Sequence, residues 1–188
     1  FSQDVYTTGF NGEFSDANVT KVSKLTDVQS ASGGLTVSNI KASGTVPSAG
    51  SQGGNNLQGG PPAGGQGGGF NIDQRTITGI DPSSDLGPIS SDQLQKGALL
   101  ADNDSMEAVL SATYAKDKSL SVGDTIKLKD TSFKVVGIVS APLAGSSSDI
   151  YVKLDQLQKV ADMEGKVNKI YVRATDQAAV ATVSKEIK

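Results

Sequence analysis

Residue types that can do chemistry are sparse in this chain, and their densest group is Asp102-Asn103-Asp104-Ser105-Met106-Glu107. Carboxylates this close together could ligate calcium. A calcium loop wants oxygen ligands at alternating positions, glycine at the sixth and glutamate at the twelfth. Counted from Asp102, the fifth position is Met106, the sixth Glu107 and the twelfth Thr113, so the stretch reads as a solvated acidic turn. Ser111 to Lys116 contains serine, tyrosine and lysine, the types used by Ser-Lys hydrolases and Tyr-Lys reductases. Ser105 and Lys116 are too loosely spaced for a Ser-x-x-Lys pairing, and no oxyanion-hole pattern accompanies them. Asn18-Val19-Thr20 and Asn103-Asp104-Ser105 match the glycosylation sequon, a motif short enough to arise by chance. Lys127, Lys129 and Lys134 alternate with apolar residues, as on the wet face of a half-exposed hairpin.

Composition narrows the choice further. The 188 residues include no Cys, no His and no Trp, and the net charge is −3. Without Cys there is no disulfide framework, thiolate metal site or thiol nucleophile. Without His the usual general base, the commonest transition-metal ligand and the Ser-His-Asp triad are all gone. Arg75 and Arg173 are the only arginines, so bidentate phosphate recognition is poorly served, and the negative balance gives no case for nucleic acid. No catalytic, cofactor-binding or metal-ligating residue is assigned. No run of 18 apolar residues occurs, so this stretch does not span a bilayer as a helix. It starts abruptly at Phe1 and stops at Lys188 after a helix-like pattern, which reads as a piece of a longer protein with membrane helices elsewhere.

The elements that would position these residues are short. Residues 1–14 show no strong period. Ser15 and Asp16 open a helix with Val19, Val22 and Leu25 at helical spacing, and Phe14 is placed to staple onto Val19. An extended stretch from Asp27 to Ala31 precedes a separate alternating strand, Leu35–Ile40. Between Gly50 and Gly69 half the residues are glycine. That tract offers too little apolar surface to offset its backbone entropy, so residues 44–69 are expected to be a long, flexible, disordered loop. It lacks the period of collagen and the Gly-Lys-Ser/Thr of a P-loop. Strand character returns over Phe70–Ile80, and the two flanking strands could form one hairpin with a very long tip. Ser91–Gly97 reads as a capped helical turn stopped by glycine.

Residues 104–117 fit either a helix or a short buried strand over Ala108–Leu110. Ile126 and Leu128 alternate with lysines, Lys129–Ser132 reverses the chain, and Val135–Val139 is nearly continuous and more buried. A strand over Asp149–Val152, a short helix with Leu154, Leu157, Val160 and Ala161 inward, and a strand over Lys169–Ala174 follow. Thr175-Asp176 caps a last helix with Val180, Val183 and Ile187 inward. The fold class is α+β, without the repeated βαβ series of a doubly wound sheet.

Several of these stretches, in this order, resemble the MacB-like periplasmic domain of MacB/FtsX-type (type VII) ABC transporter permeases. They are Leu35–Ile40, Thr76–Ile80, Gly97-Ala98-Leu99-Leu100, Ala108–Ala115, Val122-Gly123-Asp124-Thr125-Ile126, Phe133-Lys134-Val135-Val136-Gly137-Ile138, Asp149–Val152 and Ile170-Tyr171-Val172. The resemblance covers roughly 14–43 and 70–188. It implies that Ala108–Leu110 is a strand leading into a short helix. It also implies a porter-like α/β subdomain of 1–34 plus 145–188 and an inserted β-rich, Sabre-like subdomain of 35–144 containing the glycine-rich insertion. The function implied is non-catalytic: an extracytoplasmic domain, periplasmic or extracellular, anchored in a bacterial membrane by helices of the same chain. It would couple cytoplasmic ATP hydrolysis to movement outside the membrane, for export or extraction of a peptide, antibiotic or lipoprotein. Partners implied are a second permease copy, the ATPase acting indirectly, and an extracytoplasmic adaptor. The rival readings are a free-standing binding or adaptor module and an extracytoplasmic hydrolase. The first lacks heptad helices and a lipoyl-like half-motif, the second any acid-base constellation.

Overall fold

The computed structural model describes residues 2–9, 12–43, 71–140 and 147–187. In chain order the elements are β1 (Ser2–Thr7), β2 (Phe14–Ser15), α1 (Ala17–Val22), β3 (Val28–Ser43), β4 (Asn71–Ile80), β5 (Leu94–Gly97), β6 (Glu107–Ser111), α2 (Ala112–Asp117), β7 (Thr125–Leu128), β8 (Thr131–Val139), β9 (Ile150–Lys153), α3 (Leu154–Val160), β10 (Lys166–Val167), β11 (Lys169–Ala174) and α4 (Ala179–Glu186). The glycine-rich stretch 44–69, expected as a flexible loop, lies outside the described residues.

Among the described residues nine strands form one sheet in the order β1-β3-β4-β9-β6-β8-β5, with β11 also on β3 and β7 also on β8. The sheet is curled. Tyr6 of β1 and Ile126 and Leu128 of β7 come from opposite ends of that order, yet they pack into one cluster with Leu35, Ile77, Leu110, Phe133, Val135 and Leu157. Each fully buried large side chain there contributes roughly 1.5–3 kcal/mol. A second cluster on the outer face joins Val109, Val139 and Tyr151 to Ile80 and Leu100. A third seats α1 and α4 on β3 and β11 through Val22, Val28 and Val183. No helix of the described residues is long and apolar enough to cross a membrane.

The hairpin expected around the glycine tract exists: β3 and β4 are antiparallel from Gly34↔Ile80 to Ser43↔Asn71. The strand over Ala108–Leu110 and the helix after it are present, with the Ser111 hydroxyl accepting from the Tyr114 N–H at 3.2 Å as its cap. The β7–β8 hairpin turns tightly, pairing Leu128 with Thr131, and Lys129 takes a left-handed φ of 54°.

Four expectations need correction. Residues 2–7 form an edge strand, made by pairing with Ser38–Ser43 rather than by any pattern of their own. The stretches read at Asp27–Ala31 and Leu35–Ile40 are not separate strands; from Val28 on they belong to the single 16-residue β3, which runs through Gly33 and Gly34, while Asp27 lies in the turn before it. Ser91–Gly97 is only one 3-10 turn, Ser91–Gln93, whose capping box is followed at once by β5. Val183 of α4 is buried, but Val180 is 54% and Ile187 39% exposed, because α4 touches the sheet along one narrow stripe.

Gly137, within the hairpin that carries the family resemblance, is required by a close approach. It pairs with Gly97, and a Cβ on it would stand 2.0 Å from the Ala98 carbonyl oxygen. Gly97 has φ +77°, and a Cβ there would lie 2.0 Å from the Val136 carbonyl oxygen. Gly137→Ala is therefore expected to cost about 2 kcal/mol or more in urea unfolding. Gly87→Ala, where a Cβ meets nothing within 4 Å, is expected to shift the midpoint little.

Candidate functional site

The acidic stretch 102–107 is organised around a cation that the protein supplies itself. Lys153, at the end of β9, is only 3% exposed. Its Nζ donates to the Asn103 carbonyl at 2.6 Å, the Asn103 Oδ1 at 2.8 Å and the Ser105 carbonyl at 2.6 Å. Three ammonium protons thus meet three acceptors. The Glu107 Oε2 stands 3.8 Å away and also accepts from the Ala101 N–H at 3.1 Å. Gln156 of α3 adds a bond from its Nε2 to the Ser105 carbonyl at 3.1 Å. A buried ammonium is costly unless its protons are matched and a countercharge lies near, and this loop meets both conditions. The oxygens turned to Lys153 are those of Asn103 and Ser105, which alternate with the carboxylate positions a calcium loop would use. Asp102 and Asp104 point elsewhere, lining with Asp16, Asp81 and Asp155 a groove of about 570 Å³.

The second polar constellation closes the curl of the sheet. Asn39 is fully buried on β3, and its Nδ2 donates to the Asp4 carboxylate and, at 3.3 Å, to the Val5 carbonyl. Its Oδ1 accepts from the Arg75 Nε at 2.7 Å. The Arg75 Nη2 reaches the Lys127 carbonyl at 3.1 Å, and its Nη1 reaches the Tyr114 hydroxyl at 3.4 Å. One guanidinium therefore ties β3 and β4 to β7 and α2, using the fixed fork that lysine lacks. Beside it, burial and then the Asp4 charge push the Tyr6 hydroxyl up to about 12, with Arg75 acting in the opposite direction. On the other side of the molecule burial pushes Tyr171 up to about 12 as well.

The other residues singled out from sequence are dispersed. Ser111 is a helix cap, Lys116 is exposed on α2, and Ser105 serves the Lys153 cradle through its carbonyl. Among the described residues no group of three or more Asp or Glu is arranged to hold a metal. Lys127 and Lys134 are exposed. Lys129 pairs with Asp162 at 2.6 Å, and that bond pushes its ammonium pKa up. Asn103 of the second sequon is engaged by Lys153, while Asn18 of the first lies on α1. Sequence reasoning missed Lys153, Asn39 and Arg75. A signal existed for Asn39: it falls on the inward phase of Leu35, Val37 and position 39, where a polar residue demands partners.

The family model described as the MacB-like periplasmic core domain matches residues 3–188. The chain belongs to that family. As a MacB-like periplasmic core domain it is an extracytoplasmic domain of an ABC transporter permease. It is 36% identical over 101 residues to an uncharacterized ABC transporter permease of Methanocaldococcus jannaschii, covering 50% of this chain and 25% of that protein. The chain thus spans about a quarter of that relative. The crystal structure of the periplasmic region of MacB from Actinobacillus actinomycetemcomitans superposes with TM-score 0.59 at 17% identity, over 99% of this chain and 79% of that one. The extracellular domain of the noncanonic ABC-type transporter YknZ from Gram-positive bacteria gives TM-score 0.58 at 13% identity, over 100% and 90%. At such identities the likeness is one of fold, and it agrees with the mixed α+β architecture and curled sheet described above.

Two outcomes are expected of this MacB-like domain. Lys153→Met keeps the stem but leaves three oxygens and Glu107 without their cation, and should cost about 2–4 kcal/mol in urea unfolding. Protection of the amides of 101–106 against hydrogen exchange should fall with it. The tyrosines give a pH dependence. Tyr6 and Tyr171 hold their protons in the folded state up to about pH 12, while unfolded tyrosine loses its proton near pH 10. The folded state then binds more protons, so their stabilising contribution is full below about pH 10 and is lost as pH rises from there towards 12. Tyr6→Phe/Tyr171→Phe should flatten that decline in alkaline denaturation relative to the unsubstituted chain.

Proposed function

We propose that this MacB-like domain is a non-catalytic transmission body. It passes movement produced by ATP hydrolysis below the membrane to a partner or cargo outside it. The observation that carries the reading is the placement of β1 and β11. Both lie antiparallel on β3, along the edge opposite β4: β1 pairs Ser38–Ser43 and β11 pairs Val28–Gly34. The first and last strands thus join one continuous strand, about 50 Å long at the usual rise per residue. Movement entering through either end is delivered to β3 along its axis. In that direction several ladder hydrogen bonds resist together, and the load passes to the far end of the β3–β4 hairpin.

The division into a porter-like part, 1–34 plus 145–188, and a Sabre-like part, 35–144, is part of this proposal. Hydrogen-bonded strands cross the boundary three times, the first where β1 pairs Ser38–Ser43. β3 runs through it, and β9 lies between β4 and β6. Two parts stitched in this way move as one body, which favours transmission over independent hinging. In the full transporter the domain would be held by membrane helices of the same chain and would face a second permease copy. A cytoplasmic ATPase would drive it, and an extracytoplasmic adaptor would meet it. The cargo class is a peptide, antibiotic or lipoprotein, and loop tips are where contacts to such partners belong.

The test is mechanical. A short polyglycine spacer inserted after Ile187 in the full-length transporter leaves the described contacts intact but makes the outgoing link slack. ATPase activity should persist while transport falls to background. Undiminished transport would sink the transmission reading. Reporter fusions on both sides of the segment should place both of its ends outside the membrane.

A further inference from the structure

We propose that the groove between α1, β11 and the end of α4 binds the acyl chain of a single-chain anionic amphiphile of the fatty-acid type. The groove measures about 670 Å³, within the range usual for small-molecule sites. Its apolar surface comes from Phe14, Val22, Leu25, Ile170 and Ile187, and Ile187 is 39% exposed. Its charged lining is Lys21 and Lys169 against the single acid Glu186. None of these three takes part in a salt bridge among the described residues. The groove is thus locally positive in a chain whose net charge is −3, which selects an anionic head.

The choice of an acyl chain over a peptide rests on what the groove can satisfy. The side chain of Asn168, which lies in it, is already spent on β3: its Oδ1 accepts from the Thr36 N–H at 2.8 Å and its Nδ2 donates to the Thr36 carbonyl at 2.7 Å. A peptide would bring one N–H and one carbonyl per residue, more than Asn18 and the three charged side chains of the lining can pair. A hydrocarbon chain brings none, and needs only the apolar floor and a cation at its head. The binding of such a ligand stands apart from force transmission, since β3 carries load whether or not the groove is filled.

The absence of Trp from the chain makes Phe14→Trp a unique reporter inside the groove. Titration with 9,10-dibromostearate should quench it saturably. The methyl ester of the same acid should bind about tenfold more weakly, and Lys21→Glu/Lys169→Glu in the reporter background should lose about the same factor for the acid. Native mass spectrometry of the unsubstituted 188-residue chain with stearate should show one acid retained per chain, independently of the reporter. The proposal is overturned by the lack of saturable quenching together with no retained stearate. Equal affinity for acid and ester, or an unchanged affinity after charge reversal, would overturn it too, and would point to an uncharged apolar partner instead.

Discussion

Everything in this domain is registered against β3. Both of its edges are used: β4 holds Gly34–Ser43 on one, while β11 and then β1 hold most of the other. One face is packed along its length, Leu35 and Val37 into the central cluster and Ala31 and Val28 against α1 and α4, while Tyr171 closes on Gly34 from the other face. A slip of one residue in β3 would send Leu35, Val37 and Asn39 to the wrong face together. The glycines at 33 and 34, unfavourable in most strands, are what let Val19, Val167 and Tyr171 close on it, since Cβ atoms there would stand within 3.1 Å of those side chains.

Curling then brings the far end of the sheet back. The cluster shared by Tyr6 and Leu128 supplies the apolar part of that closure, and the Asp4–Asn39–Arg75 chain supplies the direction. Apolar contact alone would allow neighbouring registers. A guanidinium that must meet the Asn39 Oδ1 and the Lys127 carbonyl at once allows few, because Asn39 is fully buried and leaving its Oδ1 unmatched there is costly.

Local pattern read well where each element is stabilised by its own face. The alternation of Ile126 and Leu128, the continuous Val135–Val139 run and the Leu154–Leu157–Val160 stripe all fold as their periods indicate. It read poorly where distant partners decide. β1 has no period because its register comes from β3. The Ser90–Gln93 box opens a helix that never continues, because Leu94 is claimed by Val139 across the sheet. The polar centres split the same way. Asn39 sits on a legible inward phase, but the partners of Lys153 are about 50 residues away in sequence, and no spacing rule links 153 to 103. The absence of His and Cys did more to direct attention to mechanics than any motif did.

Because Lys153 is covalently part of β9, the loop it organises cannot lose its cation. Secreted domains that fold around calcium soften when the ion is chelated or washed away. A tethered ammonium has no dissociation constant, so the fold of the 101–107 turn does not wait on a bound divalent ion outside the membrane.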